Sequence, residues 1–259
     1  MGVVNVTPDS FSDGGLCDTV ESAVTHGLSL AREGADILDI GGESTRPGAP
    51  SVEAEVELRR VIPVIEGLRA QCTLPLSVDT TKAIVAEAAL EAGASLVNDI
   101  SGLTFDSKMA TVVARAGAGL CVMHIQGTPQ TMQDDPRYEN VVPVVEQFLA
   151  GAIERAVAAG VPRDQIMVDP GIGFGKRLED NLALIRACGT MGQRLGRPVL
   201  MGVSRKSFLG QLTGRPVDER VHATGAAVAA CVAAGAFMVR VHDVAAMRDV
   251  LKVSDALRI

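Results

Sequence analysis

Short apolar runs rich in β-branched residues return at intervals along the whole chain, over residues 2–6, 36–40, 75–78, 95–97, 120–123, 166–168, 198–203 and 237–241. They predict eight strands. Between and after them lie eight segments whose apolar positions follow the helical period and which are rich in good helix formers, among them 20–33, 52–69, 83–91, 144–159 and 180–195. Each predicted strand is followed by a predicted helix. The strand runs are continuously apolar, as expected of a parallel sheet covered on both faces. Helices close repeatedly on a glycine and a small residue just before a strand, at Gly34-Ala35, Gly93-Ala94, Gly117-Ala118 and Gly235-Ala236. Glycine adopts the left-handed conformation that often ends a helix, so one tight αβ connection is expected at all four places. Eight βα units predict an α/β fold, a single (β/α)8 barrel domain over residues 1–259, with a doubly wound sheet as the alternative.

Composition narrows the function classes. Hydrophobic residues make up 47% of the 259 positions but aromatics only 3%, with no Trp, so the core must be aliphatic. A formal net charge of -7 argues against a nucleic-acid protein, because phosphate backbones are bound by clustered Lys and Arg. An anionic ligand would need a local basic patch. The five cysteines, Cys17, Cys72, Cys121, Cys188 and Cys231, form no CxxC or Cys/His metal spacing, which suits reduced thiols in a cytoplasm. No stretch reaches the roughly 18 apolar residues of a spanning helix, and MGVVNVTPDS has no basic leader or cleavage site. A soluble, unsecreted, cytoplasmic protein is expected.

Barrel active sites sit at the C-terminal strand ends. The polar residues closing the predicted strands are Asn5, Asp39, Asp79, Asn98 and Asp99, His124, Asp169, Ser204 and Arg205, and Arg240 and His242. Eight such ends carrying Asp, Asn, His, Ser and Arg make solvation alone a poor explanation. The loop at 7–15 has the turn-forming composition of a lid, with Phe11 as its apolar member. In Asp39-Ile40-Gly41-Gly42-Glu43-Ser44-Thr45-Arg46-Pro47-Gly48 a guanidinium beside paired glycines can meet a carboxylate or phosphate. Asp169-Pro170-Gly171-Ile172-Gly173-Phe174-Gly175-Lys176 is not a Walker loop, since Arg177 stands where Ser or Thr would hold magnesium. Its glycines are expected to let the backbone lie close to a flat ligand beneath Asp169. Arg205 and Lys206 pair cations at one strand end, and Arg240 and His242, on the same side of the last strand by alternation, pair two more. A pyrophosphate-like anion is their natural guest.

The strings NVTPDSFSDGG, DIGGESTRPG, SVDT, VNDISG, MHIQGTPQTMQ, DPGIGFGK, GVSRKS and RVHDV, in this order, resemble the signature segments of the bacterial dihydropteroate synthase family. Members usually carry a few residues before the first of these, so Met1 marks either a shortened first strand or a trimmed start. The resemblance implies a pterin-binding barrel that joins 6-hydroxymethyl-7,8-dihydropterin diphosphate to 4-aminobenzoate and releases diphosphate. It implies that Asp169 takes the guanidine-like pterin edge, that Asn98 and Asp79 meet ring nitrogens, that Lys206 meets the carbonyl side, and that Ile100 and Met123 form an apolar floor, plain core packing being the alternative for Met123. Asp79, Lys206, Arg240 and His242 are the implied catalytic residues, with Asp79 stabilising the cation left when diphosphate departs. Asn5, Thr45, Arg46, Arg240 and His242 are implied at the diphosphate, with Mg2+ on Asn5 as cofactor. Alanine at Arg240 or His242 should then lower turnover while sparing a pterin without diphosphate. Phe11, Thr45, Arg46, Pro47, Phe174 and Ser204 are implied around 4-aminobenzoate, and His124 either joins the site or braces its loop. A homodimer through the outer helices is implied by the family, and the alanine-rich stretch at 226–234 is compatible with it. Two other readings are a methyltetrahydrofolate-dependent methyltransferase barrel, which needs no such cations, and a non-catalytic pterin-binding homologue, whose diphosphate motif should be broken.

Overall fold

The structure, a computed structural model, describes residues 1–7 and 19–257. Six parallel strands lie in sequence order, β1 (Gly2–Asn5), β2 (Leu38–Gly41), β3 (Leu76–Asp79), β4 (Leu96–Asp99), β5 (Gly119–Met123) and β6 (Ile166–Asp169). Two more, β7 (Leu200–Met201) and β8 (Met238–Val239), form a parallel ladder of their own. Isolated bridges Val168↔Val199 and Gly2↔Val241 join that ladder to β6 on one side and β1 on the other, closing the ring. The result is the eight-stranded barrel, not the doubly wound sheet.

The helices are α1 (Val20–Arg32), α2 (Ala54–Arg69), α3 (Ala83–Glu91), α4 (Met109–Ala116), α5 (Val141–Ala158), α6 (Leu178–Leu195), α7 (Ser207–Thr213), α8 (Val221–Ala233) and α9 (Val244–Ala256). Helix α5 begins three residues before the predicted start, because Pro143 falls in its first turn, where the missing N–H has no intrahelical acceptor anyway. The short α7 is an addition to the expected eight. The last two strands are shorter than their apolar runs, since little of each run is paired as a ladder.

All four glycine-closed helix ends have the expected geometry. Gly34, Gly93, Gly117 and Gly235 take φ of 99, 110, 63 and 98°. The next residue's N–H then reaches back five positions, as in Ala35 N to Leu30 O at 3.0 Å and Ala236 N to Cys231 O at 2.9 Å, the bond that defines a Schellman end.

The aliphatic core lies between strands and helices, with Val4, Ile40, Val78 and Val122 fully buried. Alternate strand positions face the barrel interior. There a separate cluster of Met1, Cys121, Met167 and Leu200 is overlain by polar Asp39, Asn98 and Asp169, so the interior changes from apolar to ionic along its axis.

Candidate active site

Arg240 organises the upper interior. Its Nε donates to Asp39 Oδ2 at 2.6 Å and its Nη2 to Asp79 Oδ2 at 2.8 Å, and Asn98 Nδ2 adds a bond to Asp39 Oδ2 at 3.2 Å. Asp39 Oδ1 and Ser77 Oγ, on facing register positions of β2 and β3, are buried without hydrogen-bond partners among the described residues. Burial raises the Asp79 carboxyl to about 7 against the pull of Arg240. Burial also disfavours the Arg240 charge, but Asp39 and Asp79 more than restore it and raise its pKa.

Asp169 closes β6. Its Oδ1 accepts the Gly171 N–H at 2.7 Å, while Oδ2 faces Gly202 across the barrel wall. Burial raises its pKa, opposed by the Gly171 N–H, Lys206, Lys176 and Arg240. Lys206 holds its Nζ 4.1 Å from the Phe174 ring centroid, and burial followed by Arg240 lowers it to about 8. Ile100, Met123, Ile125, Met132 and Phe174 pack as a cluster apart from the main core, which supports a pocket floor over plain core packing for Met123.

An inner hollow of about 30 Å³ is lined by Asp79, Asn98, Asp169 and Lys206, with Ile100 and Met123 beside them. A wider cavity of about 470 Å³ adjoins it, lined by Asn5, Arg46, Pro47 and Arg205. Thr45, Phe174, Ser204, Lys206, Arg240 and His242 line both, so the two form one site. Every residue that the resemblance implies at the pterin, the diphosphate and the aminobenzoate lines it, except Phe11, which lies outside the described residues along with most of the proposed lid, and His124, whose part was left open.

Several expectations need correction. His242 is not a second cation at neutral pH, because burial and then Arg240 and Arg205 lower it to about 3; its Nδ1 lies 3.0 Å from Ser204 Oγ. Arg205 lines the wide cavity beside Lys206, as expected, but its charge is partly offset by a fork onto Asp243 at 3.0 and 2.6 Å. Arg205 takes a left-handed φ of 57°, a strained conformation held by Arg205 N to Thr224 Oγ1 at 3.1 Å. Two of the glycines after Asp169 serve loop packing, since a Cβ on Gly171 would strike His124 O and one on Gly175 would lie 2.9 Å from Gln126 O, whereas Gly173 lines the wide cavity and faces Lys206. Asp99 is turned away from the site and accepts the N–H groups of Ser101 and Leu103, both at 2.8 Å.

His124 is a brace. Its Nδ1 lies 3.0 Å from Lys176 Nζ, and its ring meets Phe148 edge-on at 4.9 Å. Burial, then Lys176, lowers it to about 3, and burial lowers Lys176 to about 7. Lys176 Nζ also donates to Phe174 O at 2.9 Å, so this pair fixes the backbone that carries the Phe174 ring.

Comparison with known proteins agrees with this geometry. The family model described as pterin binding enzyme matches residues 1–242. A curated relative, the dihydropteroate synthase of Synechocystis sp., is 47% identical over 258 residues, 99% of this chain and 89% of its own. The chain belongs to the dihydropteroate synthase family. The solved Xanthomonas albilineans dihydropteroate synthase with 4-aminobenzoic acid is 50% identical with a TM-score of 0.92, over 99% of this chain and 92% of that one. The Yersinia pestis dihydropteroate synthase with a sulfonamide drug complex is 41% identical with a TM-score of 0.95, over 99% and 93%.

Within this family barrel, sequence reasoning left Asp39 and Lys176 without a role. The signal for Asp39 was available: a strand-end arginine facing a barrel interior requires anions at the same depth, and Asp39 and Asp79 are the carboxylates one strand pair supplies. Among the described residues no three His, Cys, Asp or Glu side chains gather as a metal cage, and no helix is long and apolar enough to cross a membrane.

Proposed function

We propose that this chain, as one pterin-binding domain, condenses 6-hydroxymethyl-7,8-dihydropterin diphosphate with 4-aminobenzoate to 7,8-dihydropteroate and diphosphate. The observation that carries the reading is the continuity of a narrow carboxylate-lined hollow with a wide, cation-rimmed mouth through one shared set of side chains. The pterin edge meets Asp169 Oδ2, with Asn98 and Asp79 at ring nitrogens and Ile100, Met123 and Phe174 against its faces. The hollow is too small for a bicyclic ring while Lys206 lies over Phe174, so the entering pterin displaces that ammonium toward its own carbonyl.

The diphosphate lies toward the mouth. Arg240 Nη1, which makes no hydrogen bond among the described residues, and His242 donate to it, with Thr45 and Arg46 across the cavity. A divalent cation such as Mg2+ fits this site only as a minimal one: Asn5 offers a single amide oxygen at the end of β1, so phosphate oxygens and water would complete the shell. When bound it would neutralise the leaving group.

The C–O bond to diphosphate breaks, leaving a cation spread into the pterin, and ionised Asp79 stabilises it electrostatically. The amine nitrogen of 4-aminobenzoate, neutral at pH 7 and held by Thr45, Arg46, Pro47, Phe174 and Ser204, forms the new C–N bond and gives up its proton to the departing diphosphate or to water. Positioning is the main task. The methyltransferase reading leaves the cations at the mouth without use, and a non-catalytic homologue leaves Asn5, Arg240 and His242 intact for no purpose. The same reading places the protein in the cytoplasm and pairs two copies through the outer helices around α8.

Diphosphate release is expected to require 4-aminobenzoate and to fall with an added sulfonamide when aminobenzoate is scarce. Release that ignores the amine, or is untouched by saturating drug, overturns the reading.

A further inference from the structure

Behind the second loop, three charged side chains from three separate elements meet. Lys82, which precedes α3, donates from Nζ to Glu57 Oε2 at 2.6 Å and also to Glu43 Oε2. Glu57 belongs to α2 and is fully buried, and Glu43 follows β2, its Oε2 also accepting the Val52 N–H at 3.2 Å. A buried carboxylate holds its cation tightly, because either charge alone is costly there. Glu57 therefore anchors Lys82, and Lys82 anchors Glu43.

The loop needs such an anchor. Glu43 lines the wide cavity on one side and, on the other, a separate hollow of about 230 Å³ that Lys82, Phe105 and Pro129 help to bound. The stretch carrying Thr45, Arg46 and Pro47 lines the wide cavity, and Glu43 at its start stands between the two voids. Arg60 Nη1 holds its root at Gly42 O at 2.7 Å, Gly48 N holds its far end to Pro129 O at 2.9 Å, Ala49 N reaches back to Arg46 O at 3.0 Å, and the ion pairs add a side-chain anchor at Glu43.

We propose that Lys82 is a positioning residue for the arylamine subsite: clamped between Glu57 and Glu43, it sets where Thr45, Arg46 and Pro47 stand. It also offsets the Glu43 charge at the edge of a cavity that receives two anionic substrates. The inference rests on the reading that residues 45–47 enclose 4-aminobenzoate.

Steady-state kinetics on Lys82→Met, Lys82→Arg, Glu43→Ala and Pro47→Ala test it. Lys82→Met leaves Glu57 buried without a cation and can fail to fold, so Glu43→Ala, which keeps the Lys82–Glu57 pair, decides. Glu43→Ala is expected to raise KM for 4-aminobenzoate and Ki for a sulfonamide about tenfold, the scale of one charge-assisted hydrogen bond. KM for the pterin diphosphate, which Thr45 and Arg46 also meet, should rise by clearly less than that for 4-aminobenzoate, kcat should stay within about twofold, and Lys82→Arg, whose fork can meet both carboxylates, should stay near the parent. An unchanged aminobenzoate KM in Glu43→Ala while Pro47→Ala raises it overturns the clamp alone. An unchanged KM in Pro47→Ala overturns the loop reading beneath it. An equal rise for both substrates overturns the assignment to the arylamine subsite.

Discussion

Replacing Arg240 with alanine is expected to destabilise the ligand-free protein by roughly 3–5 kcal/mol, the cost of stranding buried charges, and to lower its melting temperature by about 10 °C. The change leaves two carboxylates without their cation. Asp39 is fully buried and keeps only Asn98 Nδ2, and Asp79 loses its bond at 2.8 Å. Without Arg240, Asp79 moves further up from about 7, since the pull opposing burial has gone. The folded variant then holds a proton that the unfolded chain releases near the ordinary carboxylate value, so its stability falls with rising pH over a window that extends beyond the parent's. The gap in melting temperature should be larger at pH 8 than at pH 6. An unaltered melting temperature, or a gap that widens on acidification, contradicts this role. The variant should also bind a pterin without diphosphate more weakly, because Arg240 orders Asp79, so the sequence-based expectation of spared pterin binding survives only for His242.

The second large effect is at Asp169. An asparagine keeps one acceptor for the Gly171 N–H but turns an amide NH2 toward the pterin's own donors. A buried donor left unsatisfied costs roughly 1–3 kcal/mol, and about 1.4 kcal/mol is tenfold in affinity, so Asp169→Asn should bind pterin about 10- to 100-fold more weakly. The fold should persist, since the substitution removes a buried charge and preserves the Gly171 bond. In the parent, pterin affinity should decline on acidification as Asp169 protonates, at a pH above the ordinary carboxylate range because burial raises its pKa. In the variant the part due to Asp169 should vanish, leaving only the step of Asp79, which stands at about 7. Calorimetric titration across pH, beside melting of the apo protein, checks both; parent-like affinity or collapse of the apo fold contradicts the assignment.

The barrel and the location of the site were legible because both are written in local order. Apolar runs, helix-ending glycines and a polar residue at each strand end need no knowledge of distant partners, and Asp79, Asn98, Asp169, Lys206 and Arg240 follow from them together with the family resemblance. What was not legible depends on pairing across the ring. Arg240 and Asp39 are 201 positions apart, and nothing in either segment states that they touch. Charge state was equally hidden: His242 reads as a cation until burial beside Arg240 and Arg205 is known. The glycines at 171 and 175 announce close approach but not to what, and the approach is to the loop after β5.

The barrel wall is not equally stitched all round. Between β1 and β6 each strand is laced to the next along its length, whereas β6 and β7 meet through one bridge and the bond from Val168 N to Pro198 O at 3.0 Å. That thin seam runs up to the place where Asp169 Oδ2 looks across at Gly202. A flat ring driven in beside Asp169 acts as a wedge at the joint with the fewest backbone bonds to stretch, so the staves can spread there while the tightly laced arc keeps the carboxylates in place.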